Sequence, residues 1–252
     1  MSCSKWAQAY RRPLLVFYLA QPPRIGDRGR DFRTVPGAPP PKYNPILDAL
    51  LRDIRGRQAI VRALHEDDKF PPVDFVGTAS IGDPAQDLAT RIAERLGFSL
   101  EDFRRRANVG QSFKYLREKI EAAGVYVLLL GNLGSHRTNI SVETFRGFAI
   151  ADPIAPFIII NDQDARQAWA FTAIHELAHL WLGVTDVSGA SLEAAIEKYC
   201  NDVASEILLP AAEIVALSEL RRAPIGQIIE AVSDFAKMRK ISRAMVAYEL
   251  WS

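Results

Sequence analysis

Two of the four histidines in this chain, His175 and His179, stand four residues apart inside an otherwise apolar stretch from Phe171 to Leu182. A run of this length, closed by Gly183, is too long for a strand and reads as a helix with an apolar body made by Phe171, Ile174, Ala178 and Leu182. On a helix the i, i+4 spacing puts both imidazoles on one face, about one turn apart. A buried helix must find partners for two such groups, because unpaired polar atoms are costly in apolar surroundings. Either hydrogen-bonding neighbours satisfy them or a metal ion does, so the rest of the chain has to cover this helix and bring polar groups back to it.

The chain has 252 residues, 48% of them hydrophobic and 24% charged, enough for one or two domains with a sizeable core. Residues 1–45 read as an amphipathic helix ended by Pro22-Pro23 and then an arm rich in Pro, Gly and Arg. Residues 46–124 are helical. A stripe of Leu47, Leu50, Leu51, Ile54, Val61 and Leu64 comes first, and Asp83-Pro84 opens a second helix over Leu88, Ile92 and Leu96 that stops at Gly97. Ser99 can cap a third, and Phe113, Leu116 and Ile120 mark a fourth that stops at Gly124. The pattern changes at residue 125. Val125 to Leu130, Phe145 to Ile150 and Phe157 to Ile160 are apolar runs of strand length, and three short strands in succession predict an antiparallel sheet.

Helices are then expected from about Asp164 to Leu182, over 191–208 up to Pro210, over 211–221 and 225–237, and after a Ser242 cap. The fold class is α+β: mostly helical, with a small three-stranded antiparallel sheet packed on the histidine-bearing helix. Residues 125–210 form the core around that helix and 211–252 a C-terminal helical region.

Lys and Arg total 31 against 30 Asp and Glu, a net charge of +1, which argues against a polyanion-binding surface and makes direct nucleic-acid binding unlikely. Arg24, Arg28, Arg30 and Arg33 fit a solvated loop better than a DNA contact. Two cysteines, Cys3 and Cys200, cannot build a disulfide framework, so a reducing cytoplasm is expected. No run approaches the roughly 20 apolar residues of a membrane span. The apolar stretch Pro13 to Ala20 has no clear cleavage pattern after it, so no signal peptide is read there.

His175-Glu176-Leu177-Ala178-His179 is an H-E-x-x-H pattern. Two imidazoles so placed can ligate one Zn2+ at about 2.0–2.1 Å each, and Glu176 lies near the metal without ligating it, placed to take a proton from the water there. A third protein ligand is needed, and Asp186, Glu193, Glu197, Asp202 and Glu206 are the downstream acids within reach. Glu197 has chain enough before it for a turn and a returning helix. Asn201, one turn later on the same face, could hold a ligand in place.

The segment Phe171 to Gly183 resembles the active helix of the ImmA/IrrE-type zinc metallopeptidases, an HExxH, gluzincin-like family. These are bacterial and phage-borne proteases that act on repressors, some in mobile-element induction and some in the radiation response. Glu197 to Asn201, followed by Ala204 to Pro210, resembles the family's second motif, whose leading glutamate is the third zinc ligand. Phe145 to Ile150 and Ala155 to Asn161 resemble the strand pair before the active helix. The resemblance implies that His175, His179 and Glu197 hold Zn2+ and that Glu176 is the general base. One departure is Tyr199, where many relatives carry an acid; it is two residues from Glu197 and points to another helix face.

Lys5 to Leu19 resembles the last helix and exit of a helix-turn-helix domain, most of which is missing here. Lys240 to Leu250 resembles a terminal helix that usually continues a little further, so the resemblance suggests a late gene start or a fragment.

The expected function is therefore cleavage of a protein partner, a helix-turn-helix repressor or antitoxin. A metal-containing module that sequesters such a partner without cutting it is the alternative. His136 and Tyr199 are candidates for a second oxyanion donor, and the 157–161 strand could pair with an extended substrate by strand addition.

Overall fold

The computed structural model describes residues 44–184, 190–215, 217, 221 and 223–251; the expected helix and arm of residues 1–43, and Asp186, lie outside them. The first helix, α1 (Pro45–Asp67), starts where Asn44 accepts hydrogen bonds from Ile46 N at 3.0 Å and Leu47 N at 3.2 Å. Only its first half is buried, through Leu47, Leu50, Leu51 and Ile54. Further along it is tied down by polar contacts. Gln58 Nε2 donates to the Ala155 carbonyl at 3.1 Å, and Arg62 pairs with Asp152. His65 Nδ1 lies 3.0 Å from the Ile154 carbonyl and Nε2 2.8 Å from the Tyr126 hydroxyl. A carbonyl only accepts, so the proton sits on Nδ1 and Nε2 accepts from the tyrosine.

Three helices follow: α2 (Ala85–Leu96), α3 (Leu100–Arg105) and α4 (Val109–Ala122). Ser99 and Asn108 cap the last two, accepting from Asp102 N at 3.1 Å and Gln111 N at 3.0 Å. Asp83 does not cap α2 as its sequence position suggests. Pro84 occupies the cap position, and the Asp83 carboxylate instead accepts from Ser80 N at 3.0 Å, closing the preceding turn.

The three strands β1 (Tyr126–Leu129), β2 (Gly147–Ile150) and β3 (Phe157–Ile160) form a mixed sheet in the order β1-β3-β2. The expectation of a purely antiparallel sheet is corrected here: β3 runs antiparallel to β2 but parallel to β1. The cause is insertion of the last strand between the other two. Its four apolar residues Phe157, Ile158, Ile159 and Ile160 are buried on both faces, which suits a central position. Ile158 and Ile160 face the larger core, and Phe157 and Ile159 face the smaller one beneath α1, as the two-residue period of a strand requires. Both edges of β3 are paired, so strand addition at 157–161 is closed to a substrate.

The larger core is organised by α5 (Arg166–Leu182), α6 (Ala190–Leu208), α7 (Ala211–Ile214), α8 (Ile225–Arg239) and α9 (Arg243–Trp251). Of the helix expected over 211–221, Ala211–Ile214 is α-helical and the described residues Val215, Leu217 and Arg221 are 3-10 helical. Glu213 is held between two cations: Arg104 Nη1 at 2.8 Å and Arg239 Nε at 2.6 Å. Arg104 also donates to the Leu208 carbonyl at the end of α6, at 3.0 Å. Ser205 Oγ donates to Glu249 at 2.5 Å, joining α6 to α9. Among the described residues no helix is long and apolar enough to cross a membrane.

Candidate metal centre

The helix α5 is buried on nearly every side, from Thr172 through Trp181, against the sheet, α4 and α6. Both of its ends are anchored by neighbouring segments. Before the first turn, Asp164 pairs with Arg146 at 3.1 Å, and its carbonyl accepts from Trp169 Nε1 at 3.1 Å. At the other end Gly183 turns left-handed, with φ of 64°. The last carbonyls are met by a loop from before α2: Gly77 N donates to Leu180 at 3.0 Å and Ala79 N to Trp181 at 2.9 Å. Phe75 of the same loop stacks on Trp181 with ring centroids 4.9 Å apart. An apolar helix clamped in this way holds its side chains in fixed places, a requirement for any site built on it.

His175 is 0% exposed and His179 2%. Their Nε2 atoms lie 3.1 Å apart. From α6, Glu197 reaches back, with one carboxylate oxygen 3.4 Å from His175 Nε2 and the other 3.2 Å from His179 Nε2. Burial pushes the Glu197 carboxyl up, but hydrogen bonds and charge from the two imidazoles outweigh it and hold the group well below the usual carboxylate range. Burial also works against a charged His179, yet the thiol of Cys200 and the carboxylates of Glu197 and Glu176 lift it well above an ordinary histidine.

The donor set fits a tetrahedral metal. Bonds of about 2.0–2.1 Å at the tetrahedral angle place neighbouring ligand atoms about 3.3–3.4 Å apart. Here the two nitrogens are 3.1 Å apart, and the two oxygens of Glu197 lie 3.4 Å from one nitrogen and 3.2 Å from the other. Two imidazoles and a carboxylate leave a fourth position open, the pattern of catalytic rather than structural zinc sites. His175, His179 and Glu197 are thus a group able to bind a metal ion.

Glu176 is 2% exposed and lies between the two histidines in sequence; its carboxylate acts on His179, and its Oε1 lies against Gly147 of β2. The other acids weighed from the sequence stand apart. Glu193 is exposed, Asp202 pairs with Lys198 at 2.7 Å, and Glu206 accepts from Gln86 at 3.4 Å. Asn201 is half-buried, and its Oδ1 is buried without a hydrogen-bond partner. The Tyr199 hydroxyl is likewise buried without a partner; burial raises its pKa, with further contributions from Asp83, Cys200 and Asp87 and an opposing one from Arg91. His136 is exposed on a short 3-10 turn, His136–Thr138. The sequence reading passed over Cys200. It is fully buried on α6 and acts on His179, and its i, i+3 relation to Glu197 was the available signal.

Against known families, the IrrE N-terminal-like domain (Peptidase_M78) matches residues 121–250, just over half of the chain and all of the site. The chain belongs to this family. A curated relative is the radiation response metalloprotease IrrE of Deinococcus radiodurans, 32% identical over 108 residues, which are 39% of this chain and 32% of that protein. The chain therefore spans about a third of the length of that relative. As a member of the IrrE N-terminal-like family, it places its buried histidine helix and the returning glutamate helix inside the matched region.

Proposed function

We propose that this chain is a zinc-dependent endopeptidase that hydrolyses a peptide bond in a protein substrate, a helix-turn-helix repressor or antitoxin, and so derepresses genes. The observation that carries the reading is the convergence of His175 Nε2 and His179 Nε2 with the Glu197 carboxylate, one of its oxygens near each imidazole, and with Glu176 beside them on a buried helix. Membership of a peptidase family and likeness to a protein named a metalloprotease support it.

In this reading the two imidazoles and Glu197 hold the metal. The bound ion supplies Lewis acidity at neutral pH, activating a water and polarising the peptide carbonyl. Glu176 accepts a proton from that water at its carboxylate and delivers it to the leaving amine. The near-complete burial of His175, His179 and Glu176 keeps bulk water from competing. Asn201 is read as a group that steadies the Glu197 end of the site. The balanced charge of the chain favours recognition of a DNA-bound target through protein contacts rather than through DNA.

The test is incubation of the zinc-loaded chain with helix-turn-helix repressors and antitoxins from the same genome. Cleavage by the wild type and none by Glu176→Gln, at equal metal content, is the expected result. A stable complex with an intact partner would favour sequestration without proteolysis, and neither cleavage nor complex would reject the partner class.

A further inference from the structure

The carboxylate of Glu176 is pressed against the start of β2. A Cβ placed on Gly147 would lie 2.8 Å from Glu176 Oε1, 2.5 Å from Thr172 Cγ2 and 3.1 Å from the Ile159 carbonyl oxygen. Thr172 and Glu176 are one turn apart on α5, so both meet the strand at the same point. Gly147 is not among the glycines with positive φ, so its backbone is one that other residues could adopt. What the position requires is the absence of a side chain rather than conformational freedom.

Neither partner can readily withdraw. Gly147 is held in register opposite Ile160 of the central strand, and Thr172 and Glu176 are 1% and 2% exposed on a helix clamped at both ends. Any heavier residue at position 147 would force the carboxylate back by roughly half an ångström or more to reach ordinary contact distance. Placement errors of about 1 Å near reacting atoms cost on the order of 100-fold in rate.

We infer that Gly147 is a positioning residue for Glu176: the bare strand backbone is the wall that fixes where the Glu176 carboxylate stands beside the paired imidazoles of His175 and His179. The inference rests on the reading of Glu176 as the proton acceptor. It concerns how that carboxylate is held and leaves the ligation of the metal to the three residues already described.

The experiment uses the full, zinc-loaded chain in a Thr172→Ser background, which removes the 2.5 Å contact and leaves the one to Glu176. Adding Gly147→Ala should lower the Tm by about 3 °C or more when Glu176 is present and by much less when Glu176→Ala is also introduced. An equal loss of Tm with and without the carboxylate overturns the inference. In the cleavage assay on a helix-turn-helix repressor or antitoxin that the wild type cuts, Gly147→Ala with Thr172→Ser should lower kcat by roughly 100-fold with KM and zinc content unchanged. Full retention of kcat also overturns it. Failure of the wild type to cleave rejects the proposed partner class instead, while the stability comparison still decides whether Gly147 sets the place of Glu176.

Discussion

His179 Nε2 on α5 and Glu197 on α6 stand 3.2 Å apart, and the other oxygen of the same carboxylate lies 3.4 Å from His175 Nε2. One carboxylate thus spans two imidazoles contributed by the neighbouring helix. Two imidazole nitrogens and a carboxylate gathered in this way are a group that a divalent ion would fit.

Replacing Glu197 with alanine removes one of the three donors. Metal affinity should fall by at least about 100-fold, since loss of an outer partner alone costs 10–100-fold. Competition with a chromophoric chelator measures this, and affinity within a few-fold of the wild type would contradict the assignment of Glu197.

Binding of a metal only to the folded chain should also raise its melting temperature. At a zinc concentration about 100 times the Kd the gain is about 2.7 kcal/mol, or roughly 5–10 °C for a chain of this size. Stripping the metal with a chelator should reverse the shift, and Glu197→Ala should show little of it. Differential scanning fluorimetry with and without zinc reads both.

Glu213 links α3, α7 and α8 through Arg104 and Arg239. Burial raises its carboxyl, but the two guanidinium groups outweigh this and hold it below the ordinary value of 4.5. A depressed folded-state pKa stabilises the protein above the unfolded value, and the benefit is lost as pH falls through the folded value. Glu213→Gln should therefore cost about 1–2 kcal/mol at pH 7, with the gap to the wild type closing below pH 4.5. Urea unfolding at several pH values tests the sign; a gap that widens on acidification would contradict it.

Much of the fold was legible in the sequence because its signals are local. Helix periodicity, the Ser99 cap, the stops at Gly97 and Gly183 and the apolar strand runs each act within a few residues. The sheet order was not legible: whether β3 joins the edge of β2 alone or slips between β1 and β2 depends on contacts across the chain. The histidine pair announced itself through its spacing. Among the acids, spacing left the third donor open, and the family resemblance singled out Glu197. The place of Asn201 and the Gly147 contact depend on how α5 meets its neighbours, which no local pattern encodes.

The loop that caps α5 requires two bare backbones to meet. A Cβ on Gly183 would lie 2.6 Å from Gly77 Cα, and Gly183 has a φ of 64°. Gly183→Ala should cost at least about 1–2 kcal/mol from the left-handed conformation alone, with the backbone clash added to it. Because the same loop holds the end of the histidine helix, metal affinity should weaken as well. Thermal unfolding together with zinc titration checks both, and an unchanged Tm would contradict the described packing.

The proposed peptidase activity depends on Glu176 as the group that moves the proton. The direct measurement is cleavage of a helix-turn-helix repressor or antitoxin by wild type and Glu176→Gln at matched zinc occupancy. The expected result is one zinc per chain in both and cleavage in the wild type only, slowed by a factor of at least 100 in the variant. Cleavage by Glu176→Gln at the wild-type rate would contradict the mechanism.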